Sequence, residues 1–180
     1  ISVYDSWQAH IPAIFVNFDH PRSHRSLKNQ IEEALSLFSH YPRQLHSLLI
    51  KPEPKEQTIK LEHVLTRVED LKCFDIIGLT EKELGNSVLK RMLNIANIRL
   101  ALDDAGISVP IHIFGSLDPI SSVLYFLAGA EIFDGLTWLR YGYAGGFACY
   151  QHNYGALEVG IDETDDVLKA KSIQQNLTYL

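Results

Sequence analysis

Short apolar runs alternate with amphipathic stretches along most of the chain. Each run ends at a polar, proline or glycine break, a pattern typical of strands buried in a sheet. In the stretches between the runs, apolar residues recur three or four positions apart, which predicts helices. The predicted strands are residues 11–19, 45–50, 74–79, 110–115 and 130–134.

Residues suited to helix ends flank the amphipathic stretches. Ser23 or Ser26 could cap the first helix, and Gly106 suits the end of the third. Asp118 followed by Pro119 predicts the cap and first position of the fourth. The predicted helices cover about 27–38, 59–71, 87–105, 118–128 and 163–179. The glycine-rich residues 142–160 predict a long loop that could hold a hairpin.

Alternating strands and helices predict an α/β domain with a parallel sheet, and residues 1–180 read as a single domain. Five βα units suit either a doubly wound sheet or part of a (β/α)8 barrel. A complete barrel takes about 250 residues, so a barrel would need about three more units, which we expect before Ile1. Because Ile1 is not Met, we expect a fragment or a processed product.

Composition narrows the function classes. Charged residues are 21% of the chain and the net charge is −6, which argues against a dedicated nucleic-acid module but not against a local basic patch. No apolar run is long enough to span a membrane. Cys73 and Cys149 lack the spacing of a zinc site, and we expect both to be buried free thiols, as in the cytoplasm.

Candidate functional residues lie where the predicted strands end, because parallel α/β folds place their sites there. Each acid also has a purely structural interpretation. Asp118 suits a helix cap, Asp19 could cap a turn before His20-Pro21, and Asp134 before Gly135 could mark a turn. The strand-end residues are Asp19, Lys51, Gly78 to Glu81, Gly115 to Asp118 and Asp134.

No metal or nucleotide motif is present. The eight histidines do not form a metalloprotease pair, and no Walker A or Rossmann glycine pattern occurs. We therefore expect no cofactor within this segment. Zinc remains an option only if its ligands lie outside the segment.

Several motifs occur in the order found in one enzyme family. Three of them resemble the core of the tRNA-guanine transglycosylases. They are Gly115-Ser116-Leu117-Asp118-Pro119, the strand 129–134 that ends in Phe133-Asp134, and Arg140. Residues 74–79 resemble that family's strand with a glycine-rich end, and Phe18-Asp19 resembles its base-reading Phe-Asp. The resemblance covers about residues 11–140 and implies a TIM-type (β/α)8 barrel, of which this chain would be the C-terminal part.

The resemblance implies base exchange in a nucleic acid. Asp134 would attack C1′ of a guanosine nucleotide, and a 7-deazaguanine would then replace the displaced guanine. Asp19 would accept hydrogen bonds from the base, and the backbone near Gly78 and Leu79 would contact its other edge. The remaining expected substrate-binding residues are Gly115, Arg140 and Lys51, the last of which stands near the family's Gln-Gly-Gly.

Departures from the family pattern indicate a divergent member. Gly135 replaces a Cys, Trp138-Leu139 replaces Pro-Thr, and the zinc motif is missing. The family's general-base Asp would lie before Ile1. The chain thus resembles the branch that inserts deazaguanines into DNA more than the standard tRNA enzymes, although both tRNA and DNA remain open as partners, as do a homodimer and a heterodimer.

Two other functions remain open. One is a non-catalytic transglycosylase-like subunit that binds the base or positions the nucleic acid. The other is a barrel lyase or aldolase that uses Lys51 at its strand end.

Overall fold

The computed structural model describes residues 12–17, 24–144, 147–154 and 164–179. Its strands are β1 Ile14–Val16, β2 Leu45–Ile50, β3 Ile76–Thr80, β4 Ile111–Phe114, β5 Ile132–Phe133, β6 Tyr141–Ala144 and β7 Phe147–Tyr150. Its α-helices are α1 Leu27–Phe38, α2 Leu61–Leu65, α3 Val88–Asp104, α4 Ser121–Leu127, α5 Gln151–Tyr154 and α6 Asp165–Tyr179. Short 3₁₀ helices cover Val68–Cys73, Glu81–Glu83 and Thr137–Arg140.

Strands β1 to β5 form one parallel sheet in which every strand lies beside its neighbour in sequence. The predicted α/β class and parallel pairing are therefore confirmed. A doubly wound sheet reverses its strand order at a switch point, and the five described strands show no reversal. Consecutive right-handed crossovers without a reversal place the connecting helices on one face of the sheet, an arrangement compatible with part of a barrel.

The helix-covered face of the sheet supplies the core. Side chains on alternate positions of the central strands are at most 1% exposed, and they pack with α1 and α3. The strand residues in this core include Leu48, Ile50, Ile77, Leu79, Ile111 and Ile113. Residues at the intervening positions face the other side, where the apolar Leu49, Ile76 and Phe114 lie among the polar Ser47, Thr80 and His112. Near β1 that second face is open, with Ile14 and Leu45 about half exposed.

Local signals for helix ends agree with the structure. The Ser26 hydroxyl accepts a hydrogen bond from the Asn29 amide and caps α1, and Ser87 caps α3 in the same way. Gly106 follows α3 with φ of +68°, a conformation that glycine adopts without strain.

The helix predicted over 59–71 is wrong in its extent. The structure has α2 at Leu61–Leu65 and then a separate 3₁₀ helix. Between them the Thr66 hydroxyl donates to the carbonyl of His63, a local bond of the kind that competes with helix continuation.

The glycine-rich region contains a hairpin, as the sequence allowed. Strands β6 and β7 pair antiparallel, and the Asn176 amide of α6 bonds to the backbone of Tyr141 and Tyr143. Its Nδ2–O distance to Tyr141 is 2.8 Å, so α6 is fastened to the hairpin. The glycines at 145, 146, 155 and 160 lie outside the described residues.

The prediction that both cysteines are buried is wrong for Cys73. This residue ends the 3₁₀ helix and is exposed, whereas Cys149 in β7 is half-buried. Among the residues that the structure describes, no helix has the length and apolar character that crossing a membrane requires.

Candidate functional site

The sheet brings the predicted strand-end residues to one side, at the carboxyl-terminal ends of the parallel strands. Lys51 follows β2, Gly78 and Leu79 lie in β3, Gly115 follows β4, and Asp134 follows β5. Neighbouring strands are about 4.8 Å apart, so Lys51 and Asp134 stand about 14 Å apart across the edge. Residue 19 lies outside the described residues, so the position of Asp19 stays a prediction.

Asp134 is held by the neighbouring strand end. Its Oδ1 accepts a hydrogen bond of 2.7 Å from the Gly115 amide, and its side chain is 49% exposed. The carboxylate thus bonds across to β4, not within a turn of its own, and it remains open to a ligand. This geometry favours the functional interpretation of Asp134 over the turn interpretation.

Two glycines make this bond possible. Gly115 and Gly135 have φ of +79° and +132°, conformations that side chains rarely tolerate. A Cβ on Gly135 would stand 3.2 Å from the Cα of Gly115, which is closer than nearly all such contacts. The backbones at the ends of β4 and β5 can therefore approach closely because Gly135 has no side chain. A Cβ on Gly115 would meet nothing within 4 Å, so at that position glycine matters for its positive φ alone.

His112 is a site residue that the sequence reasoning missed. Its Nε2 lies 3.7 Å from Oδ2 of Asp134, and its ring stacks on Phe114 with centroids 3.8 Å apart. Within the described residues this buried Nε2 has no hydrogen-bond partner. Burial lowers the pKa of His112, and the Asp134 carboxylate only partly opposes that effect. The one signal in the sequence was its place in β4, two residues before Phe114 and on the same face.

Gly78 makes room for an aromatic ring. A Cβ at this position would lie 2.6 Å from Cε2 of Phe114. The side chain of Leu79 is fully buried in the core, so only its backbone could reach a ligand. Contact between a base and the backbone of these two residues stays a prediction.

Lys51 is bound to its neighbours at the same edge. Its Nζ lies 2.8 Å from a carboxylate oxygen of Glu83 and 3.3 Å from the hydroxyl of Thr80. Both charged side chains are mostly buried, so an ion pair holds the amine inside the protein. A Schiff-base lyase would have to break this ion pair before the amine could attack a carbonyl, so the geometry disfavours that function. The Gln30 amide holds the Lys51 backbone on both sides.

Asp118 acts as a cap. Its Oδ1 accepts hydrogen bonds from the amides of Ile120 and Ser121 at 3.0 and 2.8 Å. Asp118 thus binds the amides at the start of α4 as predicted, but the predicted helix start at Pro119 is wrong, because α4 begins at Ser121 and its N-cap position is Ile120. Arg140 ends the 3₁₀ helix after β5 and is exposed, so its contact with a substrate stays a prediction.

A groove of about 420 Å³ lies beyond the Gly115 turn. It runs between the start of α4, the 3₁₀ helix at 137–140 and the hairpin, and Trp138 and Tyr143 contribute its aromatic walls. Burial and the negative charge of Asp118 raise the pKa of Tyr143. The Thr137 hydroxyl lies 3.5 Å from the Gly115 carbonyl and joins the groove to the turn that holds Asp134.

Metal ligands do not cluster in the described ranges, where no group of three or more His, Cys, Asp or Glu side chains is arranged to hold an ion. Comparisons with models of protein families and with curated proteins find no match to the chain.

Proposed function

We propose that this chain is part of a transglycosylase that exchanges guanine in tRNA or DNA for a 7-deazaguanine base, with Asp134 as its nucleophile. The observation that carries the proposal is the anchored, half-exposed carboxylate of Asp134 at a strand end, beside a partly apolar face. This hydrogen bond orients one oxygen, and lone pairs on the carboxylate remain available for the reaction. The ordered motifs from residue 11 to Arg140 give the reaction class.

The proposed chemistry is a double displacement at C1′. A carboxylate oxygen of Asp134 forms a bond to C1′ while the C1′–N9 bond breaks, and its electron pair leaves with guanine, which takes up a proton. The incoming deazaguanine loses the proton of its ring nitrogen to solvent, and this nitrogen attacks C1′. As the new bond forms, the bond from C1′ to the Asp134 oxygen breaks and its electron pair regenerates the carboxylate without a cofactor. The target base must leave its stack to reach this edge.

The proposal includes a (β/α)8 barrel and a cytoplasmic location. The sequential parallel strands support the barrel, and so does the second, partly apolar face, which further strands of a closed barrel would cover. Substrate contacts by Asp19, Gly78, Leu79, Gly115, Arg140 and Lys51 belong to the same proposal.

Base exchange with labelled guanine tests the proposal. Wild-type protein should incorporate the label into tRNA or duplex DNA and form an adduct that survives a denaturing gel. Asp134→Asn should lower both by at least about 10⁴-fold, because an amide is not a nucleophile for this step. Asp104→Asn removes an exposed carboxylate on α3 and should match wild type. Exchange by Asp134→Asn at the wild-type rate would refute the role of Asp134, and no exchange on either nucleic acid by the complete protein to which this chain belongs would favour the non-catalytic subunit.

A further inference from the structure

We infer that His112 is the positioning residue of the Asp134 carboxylate: its Nε2–H donates to Oδ2 in the reacting complex while the Gly115 amide holds Oδ1. This inference rests on the proposed function for its chemistry. Its geometry stands on contacts among described residues alone.

Strand register brings the two side chains together. His112 pairs with Ile132 across the β4–β5 ladder, and Asp134 lies two residues further along on the same face. The contact therefore joins a residue of β4 to the first residue after β5, and the register of the two strands sets it.

The unpaired Nε2 of His112 indicates that a hydrogen bond can still form at this nitrogen. The buried Nε2 of His112 has no hydrogen-bond partner among the described residues, although leaving a buried donor unpaired is costly. The acceptor within reach is Oδ2 of Asp134 at 3.7 Å. A movement of about 0.7 Å would bring the pair to ordinary bonding distance. Catalytic hydrogen bonds are often long in the free protein and shorten when the substrate binds.

The ring is already oriented for this bond. It stacks on Phe114 at an interplanar angle of 28°, and Phe114 in turn fills the space left by Gly78. The side chain of His112 is only 14% exposed, which excludes most competing water. The ring is thus held in place before the substrate arrives.

Two hydrogen bonds suit both halves of the reaction. A carboxylate offers about four acceptor positions, so lone pairs remain for the attack on C1′. When the ester breaks in the second half, charge returns to the carboxylate, and donors already in place stabilise it. His112 moves no proton to the base in this scheme and acts only through Asp134.

The charge of the ring sets the direction of a pH effect. The residues paired with His112 are Gly78 on β3 and Ile132 on β5, and both are uncharged. Phe114 covers one face of the His112 ring. Among the described residues, Asp134 is therefore the charged group that faces the ring. Protonation at low pH would turn the donor into a cation paired with the nucleophile, which lowers its reactivity. Adduct formation should therefore fall on acidification through the titration of His112.

Two variants separate positioning from folding. The amide nitrogen of His112→Gln occupies about the place of Nε2 and keeps a neutral donor, whereas His112→Leu removes the donor and keeps an apolar side chain. The rate of adduct formation should fall about 10- to 100-fold in His112→Leu with unchanged binding of the nucleic acid. His112→Gln should recover most of the rate and shift the acid limb to lower pH.

Equal losses in the two variants, or an unshifted acid limb in His112→Gln, would show that His112 is only structural. An NMR titration that measures the pKa of His112 tests the pairing with Asp134 without requiring base exchange. Asp134→Asn should lower the pKa of His112 further, because the carboxylate favours the charged ring. An unchanged titration would overturn the pairing. A shifted titration in a protein without base exchange would uphold the pairing and refute the proposed function.

Discussion

Gly135→Ala tests whether the close approach of the ends of β4 and β5 builds the site. Gly135 has φ of +132°, and a Cβ there would stand 3.1 Å from the carbonyl carbon of Gly115. The obstacle is backbone, which cannot rotate away as a side chain can. The strands must separate, and the 2.7 Å bond from Gly115 to Asp134 must lengthen.

The magnitude follows from two terms. A side chain in this backbone region costs about 1–3 kcal/mol, and weakening a bond to a half-exposed carboxylate costs about 0.5–1 kcal/mol more. The free energy of unfolding should therefore fall by about 1.5–4 kcal/mol. With a urea dependence of about 2 kcal/mol per molar, the unfolding midpoint should drop by about 0.75–2 M.

Gly106→Ala is the matched control. Gly106 also has positive φ, but a Cβ there meets nothing within 4 Å. Its variant should lose only about 1 kcal/mol, the ordinary cost of the left-handed conformation. Urea unfolding followed by fluorescence measures both variants, and adduct formation by the folded proteins should fall in Gly135→Ala alone. Equal midpoints, or normal adduct formation by Gly135→Ala, would refute the idea that the glycine pair positions Asp134.

Two further predictions concern the same cluster. Burial lowers the pKa of His112 below its usual value of 6.5. As the pH falls, the unfolded chain therefore binds a proton at this residue before the folded chain does. The stability that neutral His112 contributes is lost on acidification below about pH 6.5. Urea midpoints at pH 7.5 and pH 5.5 should therefore differ less in His112→Leu than in wild type, and an equal difference would contradict the burial argument. Gly78→Ala should destabilise by about 1–3 kcal/mol, because its Cβ would overlap Phe114. Phe114→Leu in the same chain should relieve the overlap, and simple additivity in a thermal double-mutant cycle would contradict it.

Much of the fold could be predicted from local sequence. The long helix α3 appears between Ser87 and Gly106, where the capping residues place it, and the strands at 45–50 and 110–115 appear within one or two residues. The periodic pattern over 59–71 predicted one helix, but the structure ends that helix near Thr66. There the Thr66 hydroxyl donates to the carbonyl of His63, a bond that the pattern of apolar residues does not reveal. The fifth strand shrinks to Ile132–Phe133, because pairing with β4 extends over only two residues.

The candidate site was only partly predictable. Strand ends share an edge in any parallel sheet, so Lys51, Gly115 and Asp134 could be placed together before the structure was seen. The ion pair of Lys51 with Glu83 could not, because it joins residues 32 positions apart and depends on how the short 3₁₀ helix Glu81–Glu83 turns back after β3.

The sequence by itself determined where strands and helices form, since periodicity, caps and breaks act over a few neighbouring residues. Only the tertiary structure decided that the ends of β4 and β5 touch at Gly115 and Gly135, and that His112 faces Asp134 from a buried position. Those contacts depend on strand register and on space left by absent side chains. Both depend on several segments of the chain at once, so neither can be predicted from the pattern of residues within one segment.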